Sequence, residues 1–144
     1  MKLPTLPEYD YSLVIRTDFS DDAAWNEVCQ AIRAPQTEDE FQASVECIDD
    51  ETCAGLTADA LASVLPEDSQ RSFVFLVDSE TISRSDHPVL VVDLVSEPGR
   101  TFRVIPSQAW GVENNLRLAN MDFADFADSA DEDGVFRGFP RGPA

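Results

Sequence analysis

Three aspartate positions stand where chemistry could start. Asp18, Asp49-Asp50 and Asp78 each follow a short run that reads as a β-strand. In an open α/β sheet the carboxyl ends of the parallel strands share one rim, and ligands bind there, at the crevice where strand order reverses. Carboxylates gathered on such loops are the oxygen donors that Mg²⁺ prefers. Two unpaired carboxylates about 5 Å apart repel by about 3 kcal/mol at an effective dielectric of about 20. A cluster of them therefore requires a cation, a proton or solvent. The competing reading is local: Asp18 or Ser20 caps the following helix, a contribution of about 1 kcal/mol, and Asp49-Asp50 lies in a solvated loop. A phosphoreceiver domain would bring a lysine to these acids. Lys2 is the only lysine in the chain, which argues against that reading.

Two other segments concentrate functional groups. Trp110-Gly111-Val112-Glu113-Asn114-Asn115 offers a large aromatic and three hydrogen-bonding side chains. Paired asparagines have poor helix propensity, so they serve either as structural amides or as contacts to a partner. The aspartates at 122, 125, 128 and 131, followed by Glu132-Asp133, form the densest acidic run. Such a run is either a solvated face or a docking surface that steers a basic partner into fast association. Trp110, Glu113, Asn114, Asn115, Asp122, Asp125 and Asp128 are the candidate partner surface. His87, before Pro88, reads as an exposed loop residue. The chain contains no GxSxG elbow, GxGxxG or P-loop, the motifs that would mark a serine hydrolase, a dinucleotide site or a phosphate cradle.

Apolar periodicity supplies the scaffold for these groups. Residues 1–11, with Pro4 and Pro7, read as an extended leader. Leu13-Val14-Ile15, Phe73 to Val77 and Val89 to Val92 are continuous apolar runs, the pattern of strands covered on both faces. Ser44 to Ile48 and Thr101 to Ile105 alternate, as half-exposed strands do. Trp25, Val28, Cys29 and Ile32 mark one helix. Thr57 opens a second, with Leu61 and Leu65 on one face and Pro66 at its end. Further helices follow Pro106 and Asp122. A short extended piece spans 134–139, and 140–144 read as a loose tail. The order β-α-β-α-β-β-β-α-α, with right-handed crossovers, predicts one α/β domain over 12–139. Its five-stranded mixed sheet has the order 2-1-3-4-5, strands 1–3 parallel and strands 4–5 antiparallel, with flanking helices. The alternating second and fifth strands fall at the edges. In that order Asp18 and Asp78 flank the crevice between strands 1 and 3.

Charge sets the function classes. The chain carries 28 acidic and 10 basic side chains, a net charge of −18 on 144 residues. Such an excess repels nucleic acid and anionic lipid surfaces and favours basic proteins and cationic ligands. Cys29, Cys47 and Cys53 are an odd set without CxxC spacing, and His87 is the lone histidine, a poor endowment for a zinc site. Free thiols, no apolar run of signal-peptide type and no stretch of about 20 apolar residues fit a cytoplasmic protein.

The segments LVIRTDFSDDAAW (13–25), FVFLVD (73–78), VLVVDL (89–94), RTFRVIP (100–106) and VENNLRLANMDFADFAD…DGVFRGF (112–139) together resemble a domain of unknown function found in small bacterial proteins, common in actinobacteria. The resemblance implies a bacterial, cytoplasmic, single-domain protein and brings no activity, cofactor or catalytic residue. The nine arginines beside one lysine suit a GC-rich genome. The expectation is a non-enzymatic binding module of immunity or inhibitor type, engaging a basic protein and needing no cofactor. The alternative is a Mg²⁺-dependent enzyme or small-ligand sensor built on Asp18, Asp49, Asp50 and Asp78. A homodimer completed by Phe136 and Phe139 is a third possibility.

Overall fold

Five consecutive buried side chains in Ser12–Arg16 (β1), and five more in Phe73–Val77 (β3), put these strands at the centre of the sheet. A computed structural model describes residues 12–35, 42–64 and 71–138. Its sheet adds Val45–Ile48 (β2), Val89–Asp93 (β4), Thr101–Val104 (β5) and Val135–Phe136 (β6), in the order β2-β1-β3-β4-β5-β6. β1 runs parallel to β2 and β3, while β3–β4 and β4–β5 are antiparallel. The expected 2-1-3-4-5 order is present. The sheet nevertheless has six strands, and β5 is an inner strand.

The sixth strand pairs parallel to β5, Val104 opposite Phe136. Arg103 N–H donates to Gly134 O at 2.9 Å, and Gly134, at φ +80°, makes the turn that brings β6 alongside. Two residues are too few for alternation to be read from sequence. Phe136 is buried edge-on against Phe126, with ring centroids 5.2 Å apart, so it belongs to the chain's own core. Phe139, the leader at 1–11, the tail at 140–144, Leu65 and Pro66 lie outside the described residues.

Strand alternation divides the core into two layers. Val14, Phe75, Val91 and Phe102 form one cross-sheet row, facing Trp25, Val28, Cys29 and Ile32 of Asp22–Arg33 (α1). Ala109–Arg117 (α4) and Phe123–Ala127 (α5) cover the same face, through Val112, Phe123 and Phe126. Leu13, Ile15, Val74 and Leu76 point the other way, against Cys53, Leu56 and Leu61, the last on Ala58–Val64 (α2). The cap of α1 is Asp21, which accepts from Ala24 N–H at 3.0 Å. Asp18 and Ser20 bond to each other instead. Thr57 caps α2 as its position suggested.

The polar loop before Pro88 contains a helix that periodicity missed, Ser79–Ser83 (α3). Five residues show no apolar period. Their signal is the cap, where Asp78 accepts from Thr81 N–H and the Thr81 hydroxyl accepts from Asp78 N–H.

Candidate functional site

Arg16 ends β1 as a cation only 3% exposed, directly after three aliphatic residues. Its guanidinium donates to Asp18 O at 3.1 Å, to Asp49 at 3.3 Å and to Asp22 at 2.6 Å. The Phe19 ring centre lies 4.5 Å away and the Trp25 ring 5.5 Å, a cation–π arrangement on both. Burial works against the charge, but the bonds and charges of Asp22 and Asp49 outweigh it and hold the Arg16 pKa above the ordinary arginine value.

Around this cation the parallel strand ends open into a recess of about 500 Å³ lined by Arg16, Phe19, Asp22, Trp25, Asn26, Asp49 and Glu51. Each wall has a local cause. The α1 N-terminus supplies Asp22, Trp25 and Asn26, and the exit of β2 supplies Asp49 and Glu51. Asp22 is 84% and Asp49 54% exposed, so both carboxylates face the opening while their cation sits behind them.

The four rim aspartates go to separate tasks. Asp49 lines the recess. Asp18 is half-buried and accepts from Ser20 N–H at 2.8 Å. Asp50 caps the 3-10 turn Glu51–Cys53, and its bonds from the Thr52 N–H and hydroxyl lower its pKa. Asp78 is gripped by Arg103 at 2.9 and 2.7 Å. The expected crevice between β1 and β3 is zipped instead: Thr17 N–H donates to Val77 O at 2.9 Å, and Gly55 N–H donates to Thr17 O at 2.9 Å. The opening lies on the β1–β2 side. Among the described residues, no group of three or more His, Cys, Asp or Glu side chains is arranged to hold a metal ion.

The α4 segment turns inward. Glu113 is fully buried and accepts from the Ser12 hydroxyl at 2.8 Å, Ser44 N–H at 2.7 Å and Arg117 Nε at 2.8 Å. It ties α4 to β1 and the start of β2 and belongs to no surface, a correction to its expected place beside a partner. Asn114 donates to Trp110 O and Gln42 O, and Asn115 to Gly111 O. Trp110 is half-buried against the core. These amides are structural ties.

Asp122, Asp125 and Asp128 do stand exposed on α5 and its flanks. Asp125 accepts from Asp122 N–H at 2.8 Å, and Asp128 pairs with Arg100 at 2.6 Å. Asp131 and Asp133 fold back onto Arg137, which also reaches Asp86. Bonds from Arg137, Val135 N–H and Arg84 hold the exposed Asp133 carboxyl well below the usual carboxylate range. His87 is half-buried at φ +46°, with Nδ1 2.8 Å from Thr81 O and Nε2 3.2 Å from Glu27.

Sequence reasoning missed Arg16, Phe19, Asp22, Trp25, Asn26 and Glu51 as a group. The signal available was an arginine closing an aliphatic strand, with an aromatic and paired aspartates three to six residues on.

Fold and site together define a mixed α/β protein with one sheet and a polar, acid-mouthed recess where its parallel strands end. The chain belongs to the family described as Domain of unknown function (DUF6924), whose model matches residues 11–139. No curated protein matches it. No helix among the described residues is long and apolar enough to cross a membrane.

Proposed function

We propose that this is a cytoplasmic, non-enzymatic binding protein of immunity or inhibitor type that engages a basic protein. The recess at Arg16 receives a cationic side chain of that partner, and the α5 aspartates steer the approach. One observation carries the reading. Arg16, Arg84, Arg100, Arg103, Arg117 and Arg137 are each already held by at least one carboxylate of the same chain. With these cations engaged, the excess of −18 is left for solvent and for partners. A lysine or arginine entering the recess would meet Asp22, Asp49 and Glu51, and a complementary field speeds association more than it slows release.

The test is calorimetric titration at low salt with arginine-rich and lysine-rich peptides. Saturable binding that weakens with added NaCl, and weakens several-fold in the Asp49→Asn, Glu51→Gln double variant, supports the reading. Heat without saturation, or binding indifferent to both changes, sinks it. A parallel titration with MgCl₂ addresses the Mg²⁺-dependent enzyme or sensor: a saturable site lost in Asp18→Asn or Asp78→Asn would favour that alternative.

A further inference from the structure

Cys29 and Cys47 are distant in sequence, yet their thiols meet. Cys29 projects from the buried face of α1. Cys47 lies in β2 opposite Val14, so it shares the sheet face that α1 covers, and it packs against the same core layer. On that shared face each thiol is the leading influence on the other's ionisation, through the side-chain hydrogen bond between them. Cys53 belongs to the other layer, with Leu13 and Ile15, and the sheet stands between it and the pair. The third cysteine is thus excluded by topology. The pair is isolated.

We propose that Cys29 and Cys47 form a reversible dithiol–disulfide site, oxidised by low-molecular-weight thiol disulfides and stapling α1 to β2 when closed. Access sets the order of events, because Cys47 is half-buried while Cys29 is buried behind it. The Cys47 thiolate attacks one sulfur of the external disulfide, forming a mixed disulfide and releasing one thiolate. Cys29 then gives up its proton and attacks the Cys47 sulfur, expelling the second thiolate. Two protein thiols lose two electrons, and one external disulfide becomes two thiols.

The electrostatics suit that division. The bond from Cys29, aided by the nearby charge of Arg33, lowers the Cys47 pKa against the opposing effect of burial. The same bond, and burial, push the Cys29 thiol up. The thiol whose ionisation is favoured attacks, and its neighbour stays in reserve. Position adds a consequence. Cys29 lies four residues, about one helical turn, after Trp25, and Cys47 two residues before Asp49. The staple would therefore join the two walls of the recess just beneath its floor. This site does not depend on the proposed function.

The experiment uses the full chain, folded, in excess oxidised glutathione. The reaction is quenched with acid, and the product is denatured, alkylated with N-ethylmaleimide and mapped by mass. The expected product has lost two hydrogens, carries one alkyl group at Cys53 and no glutathione, and regains three alkylatable thiols with dithiothreitol. Cys29→Ala should accumulate glutathione on Cys47, whereas Cys53→Ala should still close the bond. Glutathione retained on Cys47 of the native chain, a disulfide that includes Cys53, or three thiols still free would each overturn the proposal. The native chain's product decides even where Cys29→Ala fails to fold.

Discussion

Arg103 holds Asp78 with both terminal nitrogens, at 2.9 and 2.7 Å, across the width of β4. Asp78 is at once the N-cap of α3 and the acid that follows β3, so one carboxylate joins a strand end, a helix start and a strand two positions away. The arrangement explains why an aspartate placed like a catalytic one is a structural member. Its oxygens already face a guanidinium, an N–H and a hydroxyl.

Replacing Arg103 by alanine leaves that partly buried carboxylate without its cation. The expected loss is roughly 2 kcal/mol, below the range for fully buried pairs because the site is not dry. The pH dependence has a definite sign. Burial alone would raise the Asp78 pKa, but Arg103 and Thr81 outweigh it and hold it low. A folded pKa below the unfolded one gives stability that is present above the unfolded carboxylate value and lost as pH falls through the folded one. Urea denaturation from neutral to acid pH should show a shallower acid loss in Arg103→Ala than in the native chain. Parallel curves would contradict it.

Glu113 is the most exacting position. Glu113→Ala leaves the Ser12 hydroxyl, Ser44 N–H and Arg117 without their acceptor, and about 3 kcal/mol should disappear. Glu113→Gln keeps one acceptor oxygen and should lose less. Equal stability of the alanine variant and the native chain, in chemical denaturation, would rule out the structural role.

Arg16→Met tests the recess from inside. The methionine fills much of the buried volume, and Asp22 and Asp49 are exposed enough to be solvated. The stability loss should stay near 1 kcal/mol. Removing the cation also makes the mouth more anionic, so a lysine-rich peptide should bind the variant more tightly. Weaker binding to a variant that melts normally would show that Arg16 contributes directly to the contact.

Raising NaCl should raise Tm. The chain's net charge of −18 repels itself, and salt shortens the reach of that repulsion to about 8 Å at physiological strength. The arginine ion pairs weaken too, but exposed pairs contribute little individually. A scan from low salt to molar NaCl that stays flat or falls would mean that the pairs dominate.

Sequence alone determined the central strands, because a continuous apolar run such as 73–77 or 89–92, bounded by polar turns, is the pattern of a strand covered on both faces, and the crossovers then fix its neighbours. It also determined the net charge and the absence of a clustered cysteine motif. Length limited the rest. β6 has two residues and α3 five, too few for any period to register, and both are held by distant partners, β5 and Arg103. Tertiary structure alone decided which acids would be neighbours. Asp18, Asp49, Asp50 and Asp78 share a rim by topology, yet Asp18 and Asp50 answer to donors two residues on, Ser20 and Thr52, while Arg16 and Arg103 reach Asp49 and Asp78 from other strands. The same holds for Glu113, polar by type and fully buried in fact, because Ser12, Ser44 and Arg117 converge on it only once the chain has closed. Burial follows periodicity, which is local. Pairing follows the location of opposite charges in space, and only the folded chain brings them together.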